Sequence, residues 1–202
     1  ANVMASYYSL HDKPDNATSK LGDFGQINPS VSLGGRLPLV VSGLDKTAML
    51  EPKGQLVWVG GADKTQQVPN RDSSDYRIDE ANLFLLNRYQ GKDYVLPGTR
   101  ADVGVSGVVN DRSMGKLAGF IGISRRISGK PSAGLAPDQG NIYSDYVASL
   151  NINPPQNISL GWSGRLSSHD FKLNESKANV SAKLGKANVS VQHTQLDKAY
   201  FA

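Results

Sequence analysis

The chain has 202 residues, a formal net charge of +4 and no cysteine, with 39% hydrophobic and 20% charged side chains. This balance is that of a folded protein and excludes a disulfide framework, cysteine-based metal or nucleophile chemistry, and disorder driven by charge. Lys and Arg are scattered among Asp and Glu with no single basic tract, which argues against a nucleic-acid partner, and no apolar run approaches the roughly 18 residues of a spanning helix.

Taken in chain order, the dominant pattern has period two, the signature of strands with one apolar and one polar face. Val31, Leu33, Leu37, Leu39 and Val41 alternate with Ser32, Gly34 and Arg36. A polar stretch follows the next apolar run, and beyond it Ala101, Val103, Val105 and Val109 oppose Asp102, Gly104 and Ser106, ending in the turn-forming Asn110-Asp111-Arg112. Tyr146, Ala148, Leu150 and Ile152 oppose Ser149 and Asn151 before Pro154-Pro155-Gln156. From 157 to 167, Ile158, Leu160, Trp162, Gly164 and Leu166 share one face, with Ser159, Gly161, Ser163, Arg165 and Ser167 on the other, and Ser168-His169-Asp170 supplies a turn. Ala178, Val180, Ala182 and Leu184 lead to a tight turn at Gly185-Lys186, after which Val189 and Val191 alternate with Asn188, Ser190 and Gln192.

The count is roughly nine strands of about ten residues, long enough to cross a bilayer at a tilt and longer than the usual sandwich strand. Longer connections at 13–25, 60–81 and 128–141 alternate with short turns, as in an outer-membrane meander. The polar face is rich in Ser, Asn, Gly and Gln, as a hydrated lumen requires. Tyr7, Tyr8, Trp58, Tyr94, Tyr143, Tyr146 and Trp162 are candidates for interfacial girdles. The expected fold is therefore all-β: an antiparallel up-and-down transmembrane barrel. A small porin or adhesin-type barrel and a soluble β-sandwich binding module are the alternatives that the same alternation allows.

Other signals are weak. Asn-x-Ser/Thr triplets occur at Asn16, Asn157, Asn174, Asn179 and Asn188; three of them lie inside strands whose polar face is Asn/Ser-rich, and glycosylation is not expected. Asp72, Asp75, Asp79 and Glu80 lack the spacing of a calcium loop, and His11, His169 and His193 stand apart, so no metal and no cofactor is assigned. Gly161-Trp162-Ser163-Gly164 lacks the spacing and context of a nucleophile elbow, and no enzyme activity is expected.

The segment from 51 to 104 carries the most specific pattern. Pro52, Gln55 and Leu56 are followed by Pro69, Asn70, Asp72 and Ser73. Next come Asp79, Asn82, Leu83, Phe84, Asn87, Arg88, Gly91 and Asp93, and then Gly98, Arg100 and Gly104. In this order they resemble the LptD family, with Arg71 in place of an acidic or amide residue and Tyr89 in place of Phe. Between two membrane strands such a segment cannot face lipid, where a charge costs about 2–4 kcal/mol at the bilayer midplane. Asp72, Asp79, Asn82, Asn87, Arg88 and Asp93 are therefore expected to form a hydrogen-bonded, ion-paired network that holds a loop against the lumen wall, anchored by Leu83, Phe84 and Leu86.

The resemblance implies that residues 1–202 are one segment of a larger outer-membrane barrel that inserts lipopolysaccharide into the outer leaflet. It further implies a plug lipoprotein (LptE-like) and a periplasmic bridge protein (LptA-like) as partners. On that reading Arg36, Lys53, Arg165 and Lys183 are lumen-facing candidates for substrate contact.

Overall fold

The computed structural model describes residues 2–10, 22–61, 77–88, 97–129 and 142–197. They form ten strands: β1 (Asn2–Leu10), β2 (Gly22–Arg36), β3 (Leu39–Ser42), β4 (Lys46–Val59), β5 (Gly98–Asp111), β6 (Gly115–Ser128), β7 (Tyr146–Asn153), β8 (Ile158–Leu166), β9 (Leu173–Leu184) and β10 (Ala187–Leu196). All belong to one antiparallel sheet in the order β1-β2-β4-β5-β6-β7-β8-β9-β10, with β3 on β4. The second sheet that a sandwich needs is absent among the described residues.

β2 and β3 keep a single register against β4, with Arg36 opposite Lys53 and Leu39 opposite Leu50. They are one line interrupted at Leu37-Pro38, where proline has no N–H to offer, and the Leu37 amide still reaches the Pro52 carbonyl at 3.0 Å. The result is a nine-line meander in which each line pairs with the next in sequence, and among the described residues the sheet does not close on itself. At one end the connections are short (43–45, 112–114, 154–157, 185–186). The opposite end carries 11–21, 60–97, 129–145 and 167–172. The connection after β4 thus runs well past residue 81, the limit that residue pattern alone suggests.

The period-two alternation separates two faces. Leu33 on β2, Leu56 and Trp58 on β4, Val103 on β5, Ile121 on β6, Leu150 on β7, Leu160 on β8, Val180 on β9 and Val191 on β10 point outward and stay exposed, Leu33 at 77%. A continuous apolar surface of this extent has no place in water and suits acyl chains. The core lies on the opposite face, between the sheet and residues 77–88. Ile78, Leu83, Phe120 and Val147 form one cluster with Phe84 against it, and Val57 and Val59 form another with Leu86.

Candidate functional site

The site is built where residues 77–88, between β4 and β5, lie across the inner wall. The local fold follows from two short side chains three residues apart. The Asp79 amide donates to Asn82 Oδ1 at 2.8 Å, and the Asn82 amide donates to Asp79 Oδ1 at 2.9 Å. This reciprocal capping satisfies backbone donors that a single turn leaves open. Asn82 Nδ2 also donates to the Arg77 carbonyl at 2.7 Å, and the Leu83 amide to the Asp79 carbonyl at 3.0 Å. The turn aims Leu83 at the wall, where it is fully buried.

Glycine makes room for it. A Cβ on Gly122 would lie 2.5 Å from Leu83 Cδ2 and 2.7 Å from Phe120 Cζ, and one on Gly104 would lie 2.9 Å from Phe120 Cε2. Phe84 meets Phe120 edge-on, with ring centroids 6.4 Å apart. Lys53 Nζ stands 4.6 Å and 5.0 Å from the two ring centres, a cation–π arrangement on the inner wall.

At the β4/β5 end the segment is locked by charge. Gln55, Asp102 and Ser124 are direct cross-strand neighbours on β4, β5 and β6. Asp102 is fully buried and accepts from four side chains: Arg88 Nη2, Ser124 Oγ at 2.6 Å, Gln55 Nε2 at 2.9 Å and Arg100 Nε at 3.2 Å. Arg88 Nη2 also donates to Ser124 Oγ at 2.7 Å and to the Leu83 carbonyl at 3.2 Å. Arg100 Nη2 donates to the carbonyls of Leu85 and Leu86. A buried carboxylate is tolerable only when its lone pairs are met in this way.

A second cluster holds the other end. Arg165 lies between Asp145 (3.2 Å) and Glu175 (3.9 Å), and Glu175 also meets Lys177 at 2.8 Å and Arg77 at 3.4 Å. Asn174 Nδ2 donates to Asp145 at 2.9 Å. The clusters are joined through Ser124, whose amide donates to Ser144 Oγ at 3.0 Å, which in turn donates to the Asp145 carbonyl at 2.8 Å. Glu80 accepts from Ser149 Oγ on β7.

Of the residues singled out in sequence, Gln55, Arg88 and Arg100 converge on Asp102, while Asp79 and Asn82 shape the turn and do not touch Arg88. Phe84 packs on the wall, Asn87 is half-buried, and Pro52 sits on β4 opposite Leu37. Pro69, Asn70, Asp72, Ser73, Gly91 and Asp93 lie outside the described residues. Arg36, Lys53, Arg165 and Lys183 all fall on the inner face by register. Arg36 and Lys183 are exposed, whereas Arg165 is buried between carboxylates.

Asp102, Ser124, Asp145 and Glu175 were not foreseen as members of a site. The available signal was a carboxylate on a strand face otherwise built of Gly and Ser, two residues from Arg100. The network ties residues 77–88 to β5, β6 and β9. It is a lock between a loop and a wall.

No curated protein matches the chain. A family model described as LPS transport system D matches residues 1–200. A single antiparallel meander with an exposed apolar face and a polar inner face, matched over almost its whole length, belongs to the LptD family, whose members are outer-membrane components of LPS transport.

Proposed function

We propose that residues 1–202 are one segment of a larger barrel that inserts lipopolysaccharide into the outer leaflet of the outer membrane. The observation that carries this reading is the division of the sheet. The outward face is fit for acyl chains, and the inward face is polar and braced by an ion-paired segment that keeps charge away from lipid. Sugars and phosphates of the substrate pass along that inward face. Arg36 and Lys183, exposed there, are the candidates for direct contact, while Lys53 and Arg165 act through the wall they help to build. A plug lipoprotein of LptE type fills the lumen, and a bridge protein of LptA type delivers the substrate.

The test uses the full-length protein in its native membrane. Heat-dependent gel migration of outer-membrane fractions reports a closed barrel, and surface labelling of lipopolysaccharide after depletion reports insertion. A heat shift together with loss of surface lipopolysaccharide supports the translocon. A heat shift with undiminished surface lipopolysaccharide refutes it in favour of a small porin or adhesin-type barrel.

A further inference from the structure

The outward face is furrowed across the middle of the sheet. Gly35 on β2 and Gly54 on β4 are direct partners, and Gly54 stands opposite Val103 on β5, which is itself opposite Ile123 on β6. Over this row lies an apolar groove of about 640 Å³ that reaches from Leu37, just beyond β2, to Tyr146 on β7. The backbone does not demand either glycine. A Cβ at Gly35 would meet nothing within 4 Å, and one at Gly54 would come no closer than 3.7 Å, to the Asp102 carbonyl oxygen.

The Tyr146 end carries exposed rings and a cation. Phe171, from the β8–β9 connection, stacks on Tyr146 with centroids 5.3 Å apart and planes 13° from parallel. Its φ of 57° is a conformation that bulky side chains rarely adopt, yet its ring stays 64% exposed, so the strained backbone positions a ring without burying it. On β6, Arg125 lies two residues beyond Ile123 toward the 129–145 connection, and register puts it on the outward face in one row with Leu56 and Ala101. Its guanidinium stands 5.5 Å from the ring centre of Tyr143, its cross-strand partner. Arg125 is exposed and takes part in no ion pair among the described residues. A lipid-facing arginine is costly unless its head reaches an anion at the interface. An apolar groove with such a cation at its outer end complements an acyl chain joined to a phosphate.

We infer that this groove holds a lipopolysaccharide molecule of the outer leaflet, with an acyl chain over Gly35 and Gly54 and its lipid-borne phosphate on Arg125. Long connections face the exterior in outer-membrane barrels, so Arg125 stands on the outer-leaflet side. The choice of lipid rests on the proposed function, which fills that leaflet with lipopolysaccharide. The bound molecule lies outside the wall, apart from the path along the inward face.

The full-length protein with its natural partner chain is placed in phosphatidylcholine vesicles carrying a minor share of purified lipopolysaccharide, so the result does not depend on transport. A photoreactive benzophenone side chain replaces either Leu37 at the groove or Val180, an outward control on β9. Lipopolysaccharide adducts are measured after illumination. Adducts at position 37 should exceed those at 180. Arg125→Gln should lower the adducts at 37 about fivefold and leave those at 180 unchanged, while Arg125→Lys retains both. Lipopolysaccharide stripped of its lipid phosphates should show the same loss on the unaltered wall, which keeps the charge contact testable if gel migration shows that Arg125→Gln does not form the barrel. Equal adducts at the two positions, or adducts at 37 indifferent to both Arg125→Gln and dephosphorylation, overturn the inference. So does capture of phosphatidylcholine in place of lipopolysaccharide. Undiminished surface lipopolysaccharide after depletion, with these adducts intact, would remove the proposed function and leave the site standing.

Discussion

Asp102→Ala is the sharpest perturbation of the lock. The carboxylate is fully buried and accepts from Arg88, Arg100, Gln55 and Ser124. Its removal strips the counter-charge from Arg88, whose side chain is only 7% exposed, and leaves Gln55 and Ser124 without their acceptor. Breaking a buried pair from one side costs about 3–5 kcal/mol, because the surviving charge has lost both water and partner. Arg88→Ala leaves Asp102 with Arg100, Gln55 and Ser124 still donating, so its cost lies toward the lower end of that range. The double variant removes both charges, and its cost should fall short of the sum of the singles by about 1–3 kcal/mol. The assay is the urea midpoint for loss of the heat-shifted band of the full-length protein, read beside protease cleavage within residues 77–88. Singles that each cost less than about 1 kcal/mol, or a double variant additive to within about 0.5 kcal/mol, would refute a buried, coupled pair.

Three further outcomes follow from other contacts. Gly122→Ala puts a methyl against buried Leu83 at 2.5 Å and should cost about 1–3 kcal/mol while making residues 77–88 protease-sensitive; Gly119→Ala, facing outward on the same strand, should do neither. Arg165→Met removes the buried cation between Asp145 and Glu175 and should cost about 3–5 kcal/mol by the same urea assay, whereas Lys183→Gln, exposed on β9, should stay within about 0.5 kcal/mol. In the β8–β9 connection, the Ser167 hydroxyl and then the Lys172 amide hold the Asp170 carboxyl below its ordinary value of 3.8. That contribution is complete above the ordinary carboxylate range and is lost as pH falls through the depressed value. Hydrogen exchange at the Lys172 amide should therefore stay slow at pH 4 and quicken only at lower pH. In Asp170→Asn this acid-dependent step should be missing.

The strands could be read from the chain because each has an outward face in an apolar medium, which imposes period two on every one of them. Even the interruption at Leu37-Pro38 keeps its register, so the run from Val31 to Val41 alternates as if unbroken. Asp79 and Asn82 were legible only as members of the polar segment, not as reciprocal caps of one turn. The lock itself was not. Arg88 meets Asp102 across 14 positions and Arg77 meets Glu175 across 98, and a chain read alone carries no mark of which charges on facing rows will meet. Arg165 shows the consequence: an inward arginine looks the same in sequence whether it faces a wet lumen or sits, as here, between two carboxylates.

The placement of these pairs explains why the chain buries charge instead of continuing the apolar cluster. Leu83, Phe84 and Ile78 supply area but little direction, since an apolar contact tolerates sliding along a sheet whose inner face repeats every second residue. Ion pairs at the two ends remove that freedom. Arg88 fixes one end to β5 and β6, and Arg77 fixes the other to β9, with Glu80 touching β7 between them. Strands that are not hydrogen-bonded neighbours are thereby tied from the inside. The energetic return on burying Asp102 and Arg165 is therefore small in net stability and large in registration, since the cost of taking each charge out of water offsets what its partners return.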